Sequence, residues 1–260
     1  MTDTTLVSYS LVGLLSSQSL VVPLSTNHTP KPFHYFVDTI DGLILPSIVA
    51  LAQAGKMASS STASIDKEEM NRDLALCVRA TRKSPILEQV AGDWGQLVRQ
   101  LVLSDTDVSS DSDISQTLMS VARDAGVRKP KIQPRGREEV TACYLGSAFP
   151  ALLDSVMTHT VGTDGSTEIG PFAKIWNALL VNANTGGENV HKGSCLGAVV
   201  GAYHASKAQK SNRQEQDQKV LQHMMQGLHE HAALNQEIEE FVQVVTNMQS
   251  SNQESQTNEL

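Results

Sequence analysis

Apolar residues recur at three- and four-residue intervals along most of the chain, and no stretch shows the strict alternation of a half-buried strand. The pattern predicts a first helix over residues 5–20, with Leu6, Val7, Leu11, Leu14 and Leu15 on it and Asp3 and Thr4 placed to cap it. Residues 21–32 hold three prolines and read as a loop. Over 38–54 the chain is almost continuously apolar; a turn is expected near Asp41-Gly42 and a buried helix from about Pro46, with proline in its first turn. A small, polar linker at 59–64 precedes an amphipathic helix over 66–82, where Met70, Leu74, Cys77 and Val78 share a face. Ser84-Pro85 opens the next helix, with Ile86, Leu87, Val90, Leu97, Val98, Leu101 and Val102 as its apolar positions. Residues 104–115, rich in Ser and Asp, are expected to be mobile, and a helix through Leu118 and Val121 stops near Gly126. Residues 142–159 form a second apolar helical region, whose helix proper is expected to start at Pro150. A glycine-rich polar loop over 161–170 leads to a helix over 172–182 with Ile175, Leu179 and Leu180 facing inward. After Gly186-Gly187 comes a helix through Ala202, then one or two polar helices with an apolar stripe over 214–248. Together these predict an all-α protein: a single helical domain over 1–249 and a polar tail over 250–260 that is expected to be disordered.

Composition agrees with helices. Aromatic residues make up only 4% of the 260, so the core must rest on Leu, Val, Ile, Ala and Met, which suit a compact multi-helix bundle better than a sandwich. The formal net charge is −8, and the densest basic stretch, 128–137, is broken by Pro130 and Pro134. Nucleic acid, whose backbone demands clustered cations, is therefore not an expected partner. Cys77, Cys143 and Cys195 are odd in number and show no metal-ligand spacing, so they read as small buried hydrophobes in a reducing compartment. No basic n-region marks a signal peptide, and no uncharged apolar run reaches the roughly 20 residues that span a bilayer. The expectation is a cytoplasmic protein with no membrane partner.

The chemistry concentrates at one turn. Gly186-Gly187 allows a sharp reversal with positive φ, and Glu188 and Asn189 then stand at the start of a helix. That helix carries Gly193, Gly197 and Gly201 beside Ser194, Ala198 and Ala202, a small-residue face that lets another helix approach closely. Its first N–H groups and positive dipole end attract negative charge. Glu188 there is either a favourable N-terminal charge or a hard oxygen ligand for a divalent cation.

The run Asn182-Ala183-Asn184-Thr185-Gly186-Gly187-Glu188-Asn189-Val190-His191-Lys192-Gly193 resembles the C-terminal signature of the ADP-ribosylglycohydrolase family, in the branch reading Asn-x-Gly-Gly-Asp-Asn-x-His-Arg-Gly. The continuation Leu196-Gly197-Ala198 is similar as well, and weaker likenesses follow in order at 37–46, 80–85, 149–153, 227–228 and 238–241. The resemblance implies an all-helical orthogonal bundle and a hydrolase acting on an ADP-ribosylated protein or a small nucleotide-sugar, assisted by Mg²⁺ or, alternatively, Mn²⁺. It places Glu188, Asn189 and His191 in catalytic positions, Gly186 and Gly187 against the ligand, and Asp3, Thr4 and Glu188 around the metal. Classical members carry a second aspartate and a hydroxyl residue where this chain has Val190 and His191. The family's opening Gly-Asp-x-x-Gly helix has no counterpart, so the resemblance also implies an N-terminally shortened member. The alternative it leaves open is a catalytically inactive descendant that binds a nucleotide-sugar or a protein.

Outside that turn, Asp38 and Asp41 read as turn and cap residues. Asn182 and Asn184 are expected to hold the turn through side-chain-to-backbone bonds. His28 and His34 lie in the proline-rich segment, and His223, His229 and His231 are expected to face solvent.

Overall fold

The computed structural model describes residues 38–59, 67–103, 111–132, 143–161, 171–208, 219 and 222–247. The helix expected over 5–20, the loop after it and the tail at 250–260 lie outside these residues. A 3-10 turn at Ile40–Leu43 runs directly into α1 (Ile44–Ser59). There follow α2 (Lys67–Thr81), α3 (Pro85–Leu103), α4 (Asp111–Asp124), α5 (Leu145–Thr160), α6 (Pro171–Thr185), α7 (Asn189–Ala208) and α8 (His231–Asn247). Among the described residues there is no strand, only an isolated antiparallel bridge between Thr39 and Tyr144. The protein is all-α.

Local chemistry explains the clearest helix ends. Ser84 caps α3: its hydroxyl accepts the Leu87 N–H at 3.0 Å and donates to Asp38 Oδ1, while Pro85 fills the first helical position. The end of α4 is a Schellman motif. Gly126 sits at φ +66°, its N–H reaches Arg123 O at 3.0 Å, and the Val127 N–H reaches Ala122 O at 2.9 Å.

Several boundaries and faces differ from expectation. Residues 111–115 belong to α4, where Asp113 stands in the first turn, near the positive end of the helix dipole. Helix α5 starts at Leu145 and carries Pro150 inside it; the bond that proline forgoes would have run to Gly146, an exposed residue. Helix α6 reaches Thr185; Asn184 Nδ2 and Thr185 Oγ1 donate back to Leu180 O and Val181 O, and the last-turn carbonyl of Ala183 accepts from Asn189 Nδ2 beyond the helix end. Leu180, expected inward, points outward and joins Trp176 on the exposed face of α6; Ile86, one of the apolar positions of α3, is exposed as well. Cys195 is fully buried, its thiol pushed up to about 12 by desolvation, whereas Cys77 and Cys143 are only half-buried.

Helix α7 is the centre of the molecule. It is buried on every side from Lys192 to His204 and packs against α1, α3, α5 and α6. Its glycines and alanines make that crowding possible. Around it, α3 contributes Leu87, Val90, Ala91, Trp94, Leu97, Val98 and Leu101, a helical repeat that faces α1 and α2 as well. Ile40–Met57 is apolar and long enough by composition to cross a membrane, but 56% of it is buried against the other helices, as in a core helix.

The close contact between α3 and α2 gives a direct test. A Cβ on Gly95 would lie 2.3 Å from Leu74 Cδ1 and 3.5 Å from the Ala50 methyl. Leu74 is itself completely buried and has little space to rotate away. Gly95→Ala is expected to cost about 1–3 kcal/mol by overpacking, although alanine favours helix. Urea unfolding measures it; an unchanged or raised midpoint would refute the packing described.

Candidate functional site

The turn between α6 and α7 brings together every candidate from the glycine-rich run. Gly186 and Gly187 have φ of +93° and +74°, a backbone region that favours glycine. They reverse the chain so that Glu188 precedes α7 and Asn189 begins it. The Asn189 N–H closes onto Gly187 O at 3.0 Å. Nothing lies within 4 Å of a Cβ built on Gly186, so alanine there meets no steric obstacle, only the backbone penalty. Gly186→Ala is expected to cost about 1–2 kcal/mol, read by urea unfolding; a neutral result would mean that the turn does not need its left-handed residue.

Two carboxamides tie this turn across its base. Asn182, 5% exposed, donates from Nδ2 to Asn189 O at 2.8 Å. Asn189 donates from Nδ2 to Ala183 O at 3.1 Å. Asn182 therefore holds the turn as expected, while Asn184 bonds back into its own helix. The same two residues each leave a buried carbonyl oxygen, Asn182 Oδ1 and Asn189 Oδ1, without a hydrogen bond. Their type suggested a backbone brace; no sequence signal marks the oxygen left over.

Glu188 and His191 meet one turn apart, with Oε1 and Nδ1 separated by 2.7 Å. The two atoms lack the alignment that a hydrogen bond needs, and Nδ1 is buried without a bonded partner. The contact is electrostatic and strengthens if the ring is protonated. Val190 lies between them, half-buried. Lys192 follows, 1% exposed, a buried cation one residue past His191 to which the sequence pattern assigned no role.

Asp3 and Thr4, the expected metal partners of Glu188, lie outside the described residues, as do His28 and His34. His223, His229 and His231 are exposed. Asp38 and Asp41 are committed elsewhere. Asp38 accepts the Ser84 hydroxyl, and Asp41 pairs with Arg82, whose Nε also donates to Thr39 Oγ1 at 3.2 Å. These bonds, with Ile40 N on Cys143 O at 2.9 Å and Leu145 N on Asp38 O at 2.8 Å, fasten the start of the described chain to the α2–α3 turn and to α5. Among the described residues no three His, Cys, Asp or Glu side chains gather at one point.

The turn thus carries a carboxylate and an imidazole, with two buried, unbonded amide oxygens at its base, beside the N–H groups that open the 20-residue α7. No family model matches the chain, and no curated protein matches its sequence.

Proposed function

We propose that the chain is a hydrolase of the ADP-ribosylglycohydrolase type, acting on an ADP-ribosyl or related glycosidic adduct at the α6–α7 turn. The observation that supports this most is the delivery of Glu188 and His191, 2.7 Å apart, to a glycine-hinged helix entrance within the run that resembles the family signature. In the reaction, water oxygen bonds to the anomeric carbon as the glycosidic bond breaks, its electron pair leaving with the departing group. Glu188 takes the proton released by the water, and His191 holds that carboxylate in place. Asn189 and the first N–H groups of α7 orient the sugar.

The resemblance implies Mg²⁺ or Mn²⁺ as a helper. Of the described residues at this turn Glu188 supplies a carboxylate and Val190 no donor, and these residues do not by themselves make a divalent site. No step above is therefore routed through a metal. Release of free ADP-ribose from an ADP-ribosylated protein, measured with and without added Mg²⁺ or Mn²⁺, tests the proposal. Absence of turnover on every ADP-ribosyl substrate, at every divalent ion, would sink it.

One observation favours a second reading, a binding protein without turnover: Val190 stands where the family's second carboxylate belongs. Calorimetry showing ADP-ribose bound but never consumed would select that reading.

A further inference from the structure

The geometry points to self-association: the exposed face of α6 is the contact surface for a second copy of this chain, laid antiparallel across a two-fold axis midway between Trp176 and Leu180. Helix α6 buries Phe172, Ile175, Ala178 and Asn182 and packs against α5 and α7. Off that buried face, Ala173, Trp176, Leu180 and Ala183 form a second stripe, spaced three, four and three residues apart, the spacing at which paired helices interlock. Trp176 is 40% exposed and Leu180 42%; Ala183 is exposed beside them and Ala173 half-buried. Large apolar side chains left in water along one stripe mark a contact surface.

Charge and size say what covers it. The exposed residues of α6, Trp176, Asn177, Leu180, Ala183 and Asn184, include no charged side chain. Lys174, the charged residue of this helix, is half-buried and lies roughly 140° round from the stripe at 100° per residue. By contrast α2 exposes Glu68, Glu69, Arg72 and Arg79, and α8 exposes Glu237, Glu239 and Glu240. Depletion of charge around a tryptophan is the composition of an interface centre, and it selects no ionic partner. The order of sizes selects the second copy. Taken from either end, the stripe runs small, large, large, small at the same spacings. An antiparallel copy therefore sets Ala173 against Ala183 and Trp176 against Leu180, each contact occurring twice, as a two-fold interface requires. An unrelated partner needs no such palindrome. One helix pair covers less than the about 800 Å² per partner of a standard interface, so the dimer is weak, half-formed at roughly 10–100 µM chain.

Sedimentation equilibrium of the full chain over about 1–200 µM tests this, a range that brackets the expected midpoint. The mass is expected to rise from 28.1 kDa toward twice that value. Trp176→Lys and Leu180→Glu, both at partly exposed positions, are each expected to keep the wild-type circular dichroism and to weaken association at least about tenfold. Mixed in equal amounts, the two variants are expected to dimerise again. Across the axis the introduced lysine then faces the introduced glutamate, while the other Trp176–Leu180 contact is intact. Parallel packing sets each position against itself and gives no such recovery. A mass fixed at 28.1 kDa over the whole range, a dimer that both variants leave intact, or no recovery in the mixture would each overturn the inference. If iodide also quenched no emission from that fixed monomer, the face would belong to the chain's own residues 1–37.

Discussion

Glu188→Gln is expected to reduce ADP-ribose release by at least about 100-fold, the lower end of what a positioned general base contributes. The substitution keeps the length and nearly the shape of the side chain, so the turn it occupies has no steric reason to change. Its hinge is set by Gly186 and Gly187 and its base by the Asn182 and Asn189 carboxamides, none of which uses the Glu188 carboxylate. What is lost is the negative charge beside His191 Nδ1 and the site that takes a proton from water. Stability should fall by no more than about 1 kcal/mol, the ordinary worth of a carboxylate at a helix N-terminus. The separation of the two effects is the test. A folded Gln variant that still releases ADP-ribose at the wild-type rate would remove Glu188 from the chemistry. A variant that loses activity only because it unfolds would say nothing for catalysis, and the melting curve distinguishes that outcome.

The same turn shows how far a sequence can be read. Its reversal was legible because adjacent glycines demand positive φ, and the helix after it because small residues recur at helical spacing. The cap at Ser84-Pro85 and the stop at Gly126 were legible for the same reason: each is decided by bonds between residues a few positions apart. Misreadings fall where that locality fails. Residues 111–115 look mobile by composition, yet they open α4, where the helix dipole favours an aspartate such as Asp113. Pro150 reads as a boundary until its forgone acceptor, Gly146, is seen to be exposed. Leu180 is apolar but falls off the buried face of α6, and hydrophobicity alone does not say which way a helix is turned. Asp38 and Asp41 are paired with Ser84 and Arg82, 46 and 41 residues away, a distance that no local pattern spans. The unused oxygens of Asn182 and Asn189 depend on where each amide is held, which only the packed turn determines.

Whatever the turn does, it is positioned by the core beneath α7, and Trp94 is the residue on which that core is most exposed to a single change. Trp94 is completely buried on α3. Its ring meets Phe149 of α5 edge-on, at 6.0 Å between centroids and 70° between planes. Its Nε1 donates to Ser47 Oγ on α1 at 2.9 Å, and that hydroxyl in turn donates to Leu43 O at 2.7 Å. Trp94→Ala is expected to cost about 3–5 kcal/mol, through lost burial and the cavity left among three helices. Against a total stability of about 5–15 kcal/mol for a typical domain, that is a large share. Trp94→Phe keeps much of the ring and removes the indole donor, and should cost about 1–3 kcal/mol, the usual penalty for leaving a buried polar partner unsatisfied. Urea unfolding followed by circular dichroism gives both values, and fluorescence locates the change independently. The chain's other tryptophan, Trp176, is 40% exposed, so the blue-shifted part of the native emission belongs to Trp94 and should vanish in Trp94→Ala. A loss below about 1 kcal/mol, a surface-like effect, with the native emission unshifted, would mean that α1, α3 and α5 do not meet at this ring.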